Sequence, residues 1–321
     1  MAQEIISIGR INVDIVMQVD KLPTRNEHVT GEEGHISFGG SAANFATQSA
    51  HLGVKTGIIG CVGDDPYGQI ALKGISNVGV DISSVLVLDK HPTGIFILAE
   101  QANGESVVFS EQGANRFLEK IMLDEESIAG ARVVHVAGGF PMMTAQTQKI
   151  TTTNGMIFSF DPGRAAGTMD LTQILRQTDL LFVNERELKE YFKVSPTAKS
   201  LRAFAKTLPG VVVLKKGKKG AVATDGFEYC TSQAFETQVV DTLGAGDAFA
   251  AGFVTAWTRS ENITQALHVG NAVAALTITK KGAQNGQPNL EATNKLLKKN
   301  GVNIESILRT FRRGKRKKRQ H

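Results

Sequence analysis

The chain has 321 residues, 41% of them hydrophobic and 21% charged, a balance that supports a packed core and excludes a disordered or fibrous polypeptide. No apolar run approaches the ~18 residues that a membrane-spanning helix needs, and Met1-Ala2-Gln3-Glu4 opens neither a basic region nor the apolar stretch of a secretory leader. The net charge of +5 is uneven: eight of the 36 Lys and Arg fall between Arg309 and Arg319, and the other 28 face 31 acidic residues.

The expectation is therefore a mildly acidic cytoplasmic body without membrane contact, followed by a basic, disordered tail at 309–321. The tail's charge suits nucleic acid. No aromatic interleaving or nucleic-acid fold signature accompanies it, so a solvated terminus is the preferred reading. Cys61 and Cys230 form no metal-ligand spacing and are expected to be reduced thiols.

In chain order, Ile5–Gly9, Lys55–Gly63, Arg132–Gly138, Met156–Asp161, Asp179–Asn184 and Gly210–Gly217 are short β-branched runs that predict buried strands. Between them, Ala42–Leu52, Tyr67–Val78 and Ala198–Leu208 carry helical spacing. Alternation of this kind predicts an α/β fold with a doubly wound, mostly parallel sheet, whose site lies beyond the carboxyl ends of the strands. Val13–Phe38 and Thr93–Ser110 break the rhythm with alternating polarity, and the second holds an Asn103-Gly104 hairpin turn. They predict a small separate β-sheet lid. The expected division is an α/β domain of residues 1–12, 39–92 and 111–308, with lid segments 13–38 and 93–110.

Two glycine-rich stretches carry chemistry. In "SFGGSAANFATQSAHLG" (Ser37–Gly53), Ser41 is expected to cap a helix, Gly39 and Gly40 let backbone approach a ligand, and Asn44 offers an amide to hydroxyls. A plain loop-to-helix junction reads the same stretch equally well. In "VVDTLGAGDAFAAGF" (Val239–Phe253), Val239-Val240 are expected to end a strand, Gly244-Ala245-Gly246 to form a turn, and Asp247 to start a helix over Ala248–Trp257. This is neither a P-loop nor a Rossmann fingerprint. Unpaired N–H groups and a positive helix dipole make an anion site there. Asp247 is then either a helix-start residue or a base that takes a hydroxyl's proton beside a bound phosphate.

The two stretches together resemble the paired signatures of the ribokinase-like (PfkB) family of carbohydrate and nucleoside kinases. "GRINVD", "NERE" (Asn184–Glu187), "KKGKKGAVA" (Lys215–Ala223) and "TKKGAQ" (Thr279–Gln284) follow in the family's order. The resemblance spans roughly residues 4 to 300. It implies Asp247 as general base, with Gly244, Ala245 and Gly246 as the anion hole for the phosphoryl group. It implies a nucleotide site of Asn184, Lys215, Gly217, Gly220 and Asn271, with Gly244 and Gly246, for ATP. Glu187 would organise Mg²⁺ through water, and Asp241 with carbonyls near Gly282 resembles the K⁺ loop of some members. Asn12, Asp14, Gly39, Gly40 and Asn44, with Asp247, would bind the acceptor. A homodimer formed through the lid is also implied.

The pattern departs from ribokinases proper in having Ser41 in place of a lysine and Gly139 in place of an acid. Small residues there are read as room for a nucleobase, and "GGSAAN", "VHVAGGFP" and "SFDPGR" resemble the archaeal-type nucleoside kinases most. The expectation is an ATP-dependent kinase of the 5′ hydroxyl of a ribonucleoside. The alternatives are a ribokinase or another sugar kinase (fructose or ketodeoxygluconate type), or a non-catalytic nucleotide-binding protein.

Overall fold

The computed structural model describes residues 3–302; the basic tail at 309–321 lies outside them. The strands, in chain order, are β1 Ile5–Gly9, β2 Asn12–Gln18, β3 Glu33–Gly39, β4 Thr56–Gly63, β5 Val85–Leu88, β6 Gly94–Glu100 and β7 Ser106–Glu111, then β8 Val133–Ala137, β9 Ile157–Asp161, β10 Leu180–Asn184, β11 Val211–Lys215, β12 Ala221–Thr224 and β13 Tyr229–Ser232. Nine form one sheet in the order β13-β12-β11-β10-β9-β8-β1-β4-β5, parallel from β11 to β5 and antiparallel at β12 and β13. The other four form a separate sheet, β3-β2-β6-β7, antiparallel except for the β2–β6 pair.

The large sheet is apolar on both faces because both are covered. Along β10, Leu180 and Phe182 enter one core while Leu181 and Val183 enter the other; along β11, Val211 and Val213 alternate with Val212 and Leu214 in the same way. On the first face lie the helices Ser41–His51, Ala245–Ser260 and Ile263–Thr277, where Phe182 meets Phe253 edge-on at 5.5 Å between ring centroids. Each such buried ring contributes ~2–3 kcal/mol by burial. The chain winds from β1 towards β4 and β5 in one direction and from β8 to β11 in the other. The switch between β1 and β8 opens a crevice at the strands' carboxyl ends, as this topology requires.

Three expectations at this level need correction. The helix of the second glycine stretch starts at Ala245, with Gly244 as N-cap, so Asp247 occupies its third position rather than its start. Val239 and Val240 end no strand, and both are exposed. Ser41 is the first residue of its helix, whose N-cap is Gly40 at φ +90°; glycine has no side chain to cap with, and a Cβ there would meet the Arg10 carbonyl at 2.4 Å.

Candidate active site

Beyond the carboxyl ends of the strands lie two adjoining clefts. One, of about 580 Å³, is walled by the small sheet on one side and by the loops after β1, β8 and β9 on the other. Asn12, Asp14, Gly40, Asn44, Gly244 and Asp247 reach it, as do Glu187 and Lys215. The other, of about 440 Å³, is bounded by Gly217, Gly220, Ala245, Gly246 and Asn271. Lys215 borders both. Gly39, Asn184 and Asp241 are not among the residues that line either cleft.

The junction of the clefts is the start of the helix Ala245–Ser260. Gly244 has φ +75°, and a side chain there would meet the Ala283 carbonyl at 2.7 Å, so only glycine makes this turn. The N–H groups of Gly246 and Asp247 fall in the first turn, where no intrahelical acceptor exists, and the helix dipole adds positive potential. Asn44 donates to Asp247 Oδ2 at 2.8 Å, and Gln284 donates to Asn44 Oδ1 at 3.1 Å.

Burial pushes the Asp247 carboxyl up to about 7, against the pull of the Asn44 hydrogen bond and Lys215; Asp161 adds to the rise. Asp14, 3% exposed and packed over Gly39, is pushed up to about 7 by desolvation and then by Asp247 and Asp241. A carboxyl poised near neutrality can take a proton from an alcohol far better than one at its ordinary value. Lys215 donates to Asp161 Oδ2 at 2.5 Å, both side chains largely buried. Burial alone would lower Lys215, but Asp161 and Glu187 outweigh it and hold the ammonium above its ordinary value. A fixed cation therefore stands within reach of both clefts, as transfer of a charged group between them demands.

The "NERE" segment is built as a helix start. Asn184 Oδ1 accepts the Glu187 N–H at 2.8 Å while Glu187 Oε2 accepts the Asn184 N–H at 2.9 Å, a reciprocal capping box. Glu187 nevertheless reaches the larger cleft, its pKa raised by desolvation. Asp241 accepts from Leu243 N–H at 2.8 Å and Gly282 N–H at 2.7 Å, tying the glycine turn to the loop carrying Ala283. Asn271 donates to Ser232 and to the Gln233 carbonyl, fixing one rim of the smaller cleft.

Gly139 lines the larger cleft, but a side chain built on it would overlap the Ala165 methyl at 1.9 Å and touch the Met169 sulfur at 3.0 Å, so in that direction the backbone is packed against another loop. The sequence reading also passed over several residues. Asn115, fully buried, donates to Asn12 Oδ1 at 2.9 Å and accepts from Ile11 N–H, so Asn12 is aimed from a segment about a hundred residues away. Asp161 ends β9 and pairs with Lys215; an acid closing an apolar run was its visible signal. Arg10 and Arg164 also reach the larger cleft; they stand inside the stretches "GRINVD" and "SFDPGR", which give them no role.

A buried carboxyl near neutrality, a glycine-built helix start beside it and two clefts sharing one lysine are the features that a phosphotransferase acting on a hydroxyl group requires. The chain belongs to the pfkB family of carbohydrate kinases, whose model matches residues 2–290. It is 34% identical over 285 residues to an ATP-dependent ribose-1-phosphate kinase of Halopiger xanaduensis, covering 87% of this chain and 93% of the relative. It is 28% identical over 291 residues to a nucleoside kinase of Methanothermobacter thermautotrophicus, covering 89% and 93%. The structure of Arabidopsis thaliana ribokinase complexed with ribose and ATP superimposes with a TM-score of 0.83 at 29% identity, covering 93% of this chain and 99% of that one. The chain is thus a sugar or nucleoside kinase of the ribokinase type.

Proposed function

We propose that the protein transfers the γ-phosphoryl group of ATP to the primary 5′ hydroxyl of a ribofuranose that bears a substituent at C1, with Asp247 as general base. The observation that carries this reading is the position of Asp247. It lines the larger cleft with a carboxyl at about 7, while the two residues before it, Ala245 and Gly246, line the smaller one. In this reading the smaller cleft holds the nucleotide against Gly217, Gly220 and Asn271. The larger one holds the sugar against Asn12, Asp14, Gly40 and Asn44.

The 5′ hydroxyl gives its proton to Asp247 as its oxygen attacks the γ-phosphorus. The amides of Gly244 and Gly246 and the Lys215 ammonium face the charge that develops on the transferring group, whereas the Ala245 N–H, expected to join them, donates to the Thr242 carbonyl at 3.3 Å. When bound with ATP, Mg²⁺ supplies charge neutralisation at the phosphates. Glu187 is the carboxylate here that would hold its waters, which suits an ion held chiefly by substrate phosphates. Asp241 and nearby carbonyls would form a K⁺ loop. The small sheet, which walls the larger cleft with Phe96 and Val108, would close over the acceptor and exclude water. Its outer face would pair two protomers, and a cytoplasmic setting completes the reading.

The C1 substituent is a nucleobase, as for the nucleoside kinase relative, or a phosphate, as for the ribose-1-phosphate kinase relative. ADP release should be measured with ribose, adenosine, cytidine and ribose 1-phosphate as acceptors. Turnover with at least one C1-substituted ribose should exceed that with free ribose; faster turnover with free ribose or with hexoses would contradict the proposal.

A further inference from the structure

The loop that follows the helix Ile263–Thr277 returns to Asn44 and is fastened on the way. The Gly282 N–H donates to Asp241 Oδ2 at 2.7 Å, Gln287 Nε2 to the Asn44 carbonyl at 2.8 Å, and Gln48 Nε2 to the Pro288 carbonyl at 2.9 Å. A side chain at Gly286 would meet the Thr277 carbonyl at 2.0 Å, so the loop also packs directly on the end of its own helix. From this loop the half-buried Gln284 sends Nε2 to Asn44 Oδ1 at 3.1 Å, and Asn44 Nδ2 in turn reaches Asp247 Oδ2 at 2.8 Å.

An asparagine amide presents a carbonyl on one side and an NH2 group on the other, and a half-turn about its last side-chain bond exchanges the two. With the NH2 towards Asp247, the amide donates to the ionised carboxylate; with the carbonyl towards it, the amide accepts from the protonated acid and repels the carboxylate. The Gln287 amide and the Thr47 hydroxyl hold Asn44 by its main-chain carbonyl and leave the side chain alone. Among the described residues, the Asn44 side-chain amide has two partners, Asp247 and Gln284. A donor placed against the Asn44 side-chain carbonyl holds the first orientation and polarises the amide, so that its N–H donates more strongly.

Gln284 carries no charge, so its influence on Asp247 passes through that amide. The charged groups that act on Asp247 come from other elements: Lys215 ends β11, Asp161 ends β9 and Asp14 lies on β2. The Ser41 hydroxyl, on the helix that carries Asn44, is a further hydrogen-bonding partner.

We infer that Gln284 is a positioning residue of the transfer reaction: by donating to the Asn44 side-chain carbonyl, it holds the Asn44 NH2 against Asp247 in the orientation that serves the ionised, proton-accepting carboxylate. The inference rests on the reading of Asp247 as general base. It gives the loop around Gly282 a part in the chemistry without contact with acceptor or nucleotide, because a shift of that loop reaches the base through one amide.

The test is the pH profile of kcat/KM from ADP release, with whichever of ribose, adenosine, cytidine and ribose 1-phosphate turns over fastest. The proteins are the wild type, Gln284→Met and Gln284→Glu, each also in an Asn44→Ala background. Gln284→Met removes the donor at nearly constant volume. It should move the acid limb upward by about half a unit, a roughly threefold loss below the limb that disappears above it. Gln284→Glu, which at neutral pH can only accept, should turn the amide round and move the limb by roughly one to two units. In the Asn44→Ala background, Gln284→Met should produce no further shift, and Gln284→Glu only the smaller one that its added charge causes. The Gln284→Glu pair decides the question by itself where Gln284→Met does not fold. A loss of activity equal at every pH, or Gln284→Glu shifts of the same size in both backgrounds, would overturn the role of Gln284 and leave the base reading standing. An acid limb that persists unmoved in Asp247→Asn would overturn the base reading, and the inference with it.

Discussion

Asn44 and Asp247, 203 residues apart in sequence, are joined by a 2.8 Å hydrogen bond from the Asn44 amide to Oδ2 of Asp247. The bond couples the two glycine-rich stretches: the helix that one starts supplies the group that tunes the carboxyl on the helix that the other starts.

Removing that bond should raise the Asp247 pKa further, because the amide favours the ionised form. Asn44→Ala should therefore move the acid limb of kcat/KM upward from about 7 by roughly one unit, as one charged hydrogen bond allows. Activity at neutral pH should fall about tenfold, with part of the loss recovered above pH 8. An unchanged limb would show that the bond does not tune the base.

Lys215 and Asp161 should behave as a buried pair. Lys215→Met leaves the Asp161 carboxylate without its cation and should cost about 3–5 kcal/mol in urea denaturation. The double variant Lys215→Met/Asp161→Leu should recover much of that stability yet remain inactive, since no cation would then stand between the clefts. Full activity in the double variant would remove Lys215 from the transfer.

Stability should depend on pH through Asp14. Its folded-state pKa is raised to about 7, so between about 4 and 7 the folded chain holds a proton that the unfolded chain has released. The stabilisation is complete below the unfolded value and is lost as pH rises through about 7. Asp14→Asn should flatten the fall in Tm between pH 5 and pH 8 by a few degrees; parallel Tm curves for the two proteins would contradict the assignment.

How much of this could be read from residues alone follows from which physics is local. Strands such as Ile5–Gly9 and Leu180–Asn184 declare themselves because burial on both faces demands unbroken apolar runs. The glycine turns show because φ +75° at Gly244 excludes other residues. Ala221–Thr224 and Tyr229–Ser232 do not show: at four residues each, they are strands only because β11 offers an edge. The doublet Val239-Val240 carries strand propensity, but the Val240 N–H donates to the Ile278 carbonyl at 2.8 Å, at the end of a helix and not on a strand, and Val239 lines the smaller cleft. What surrounds Gly139 is likewise non-local: it lines the larger cleft, while Ala165 and Met169, which arrive from another loop, fill the direction a side chain would take. The contacts of Asn115 with Asn12 and of Gln284 with Asn44 are equally so.

The central claim is that Asp247 accepts the proton of the acceptor's hydroxyl, and Asp247→Asn tests it most directly. With saturating ATP and acceptor, kcat for ADP formation should fall by roughly 10²–10⁴, while ATP binding measured on the same preparation stays within a few-fold of the wild type. Retention of kcat within tenfold, with nucleotide binding intact, would contradict the account.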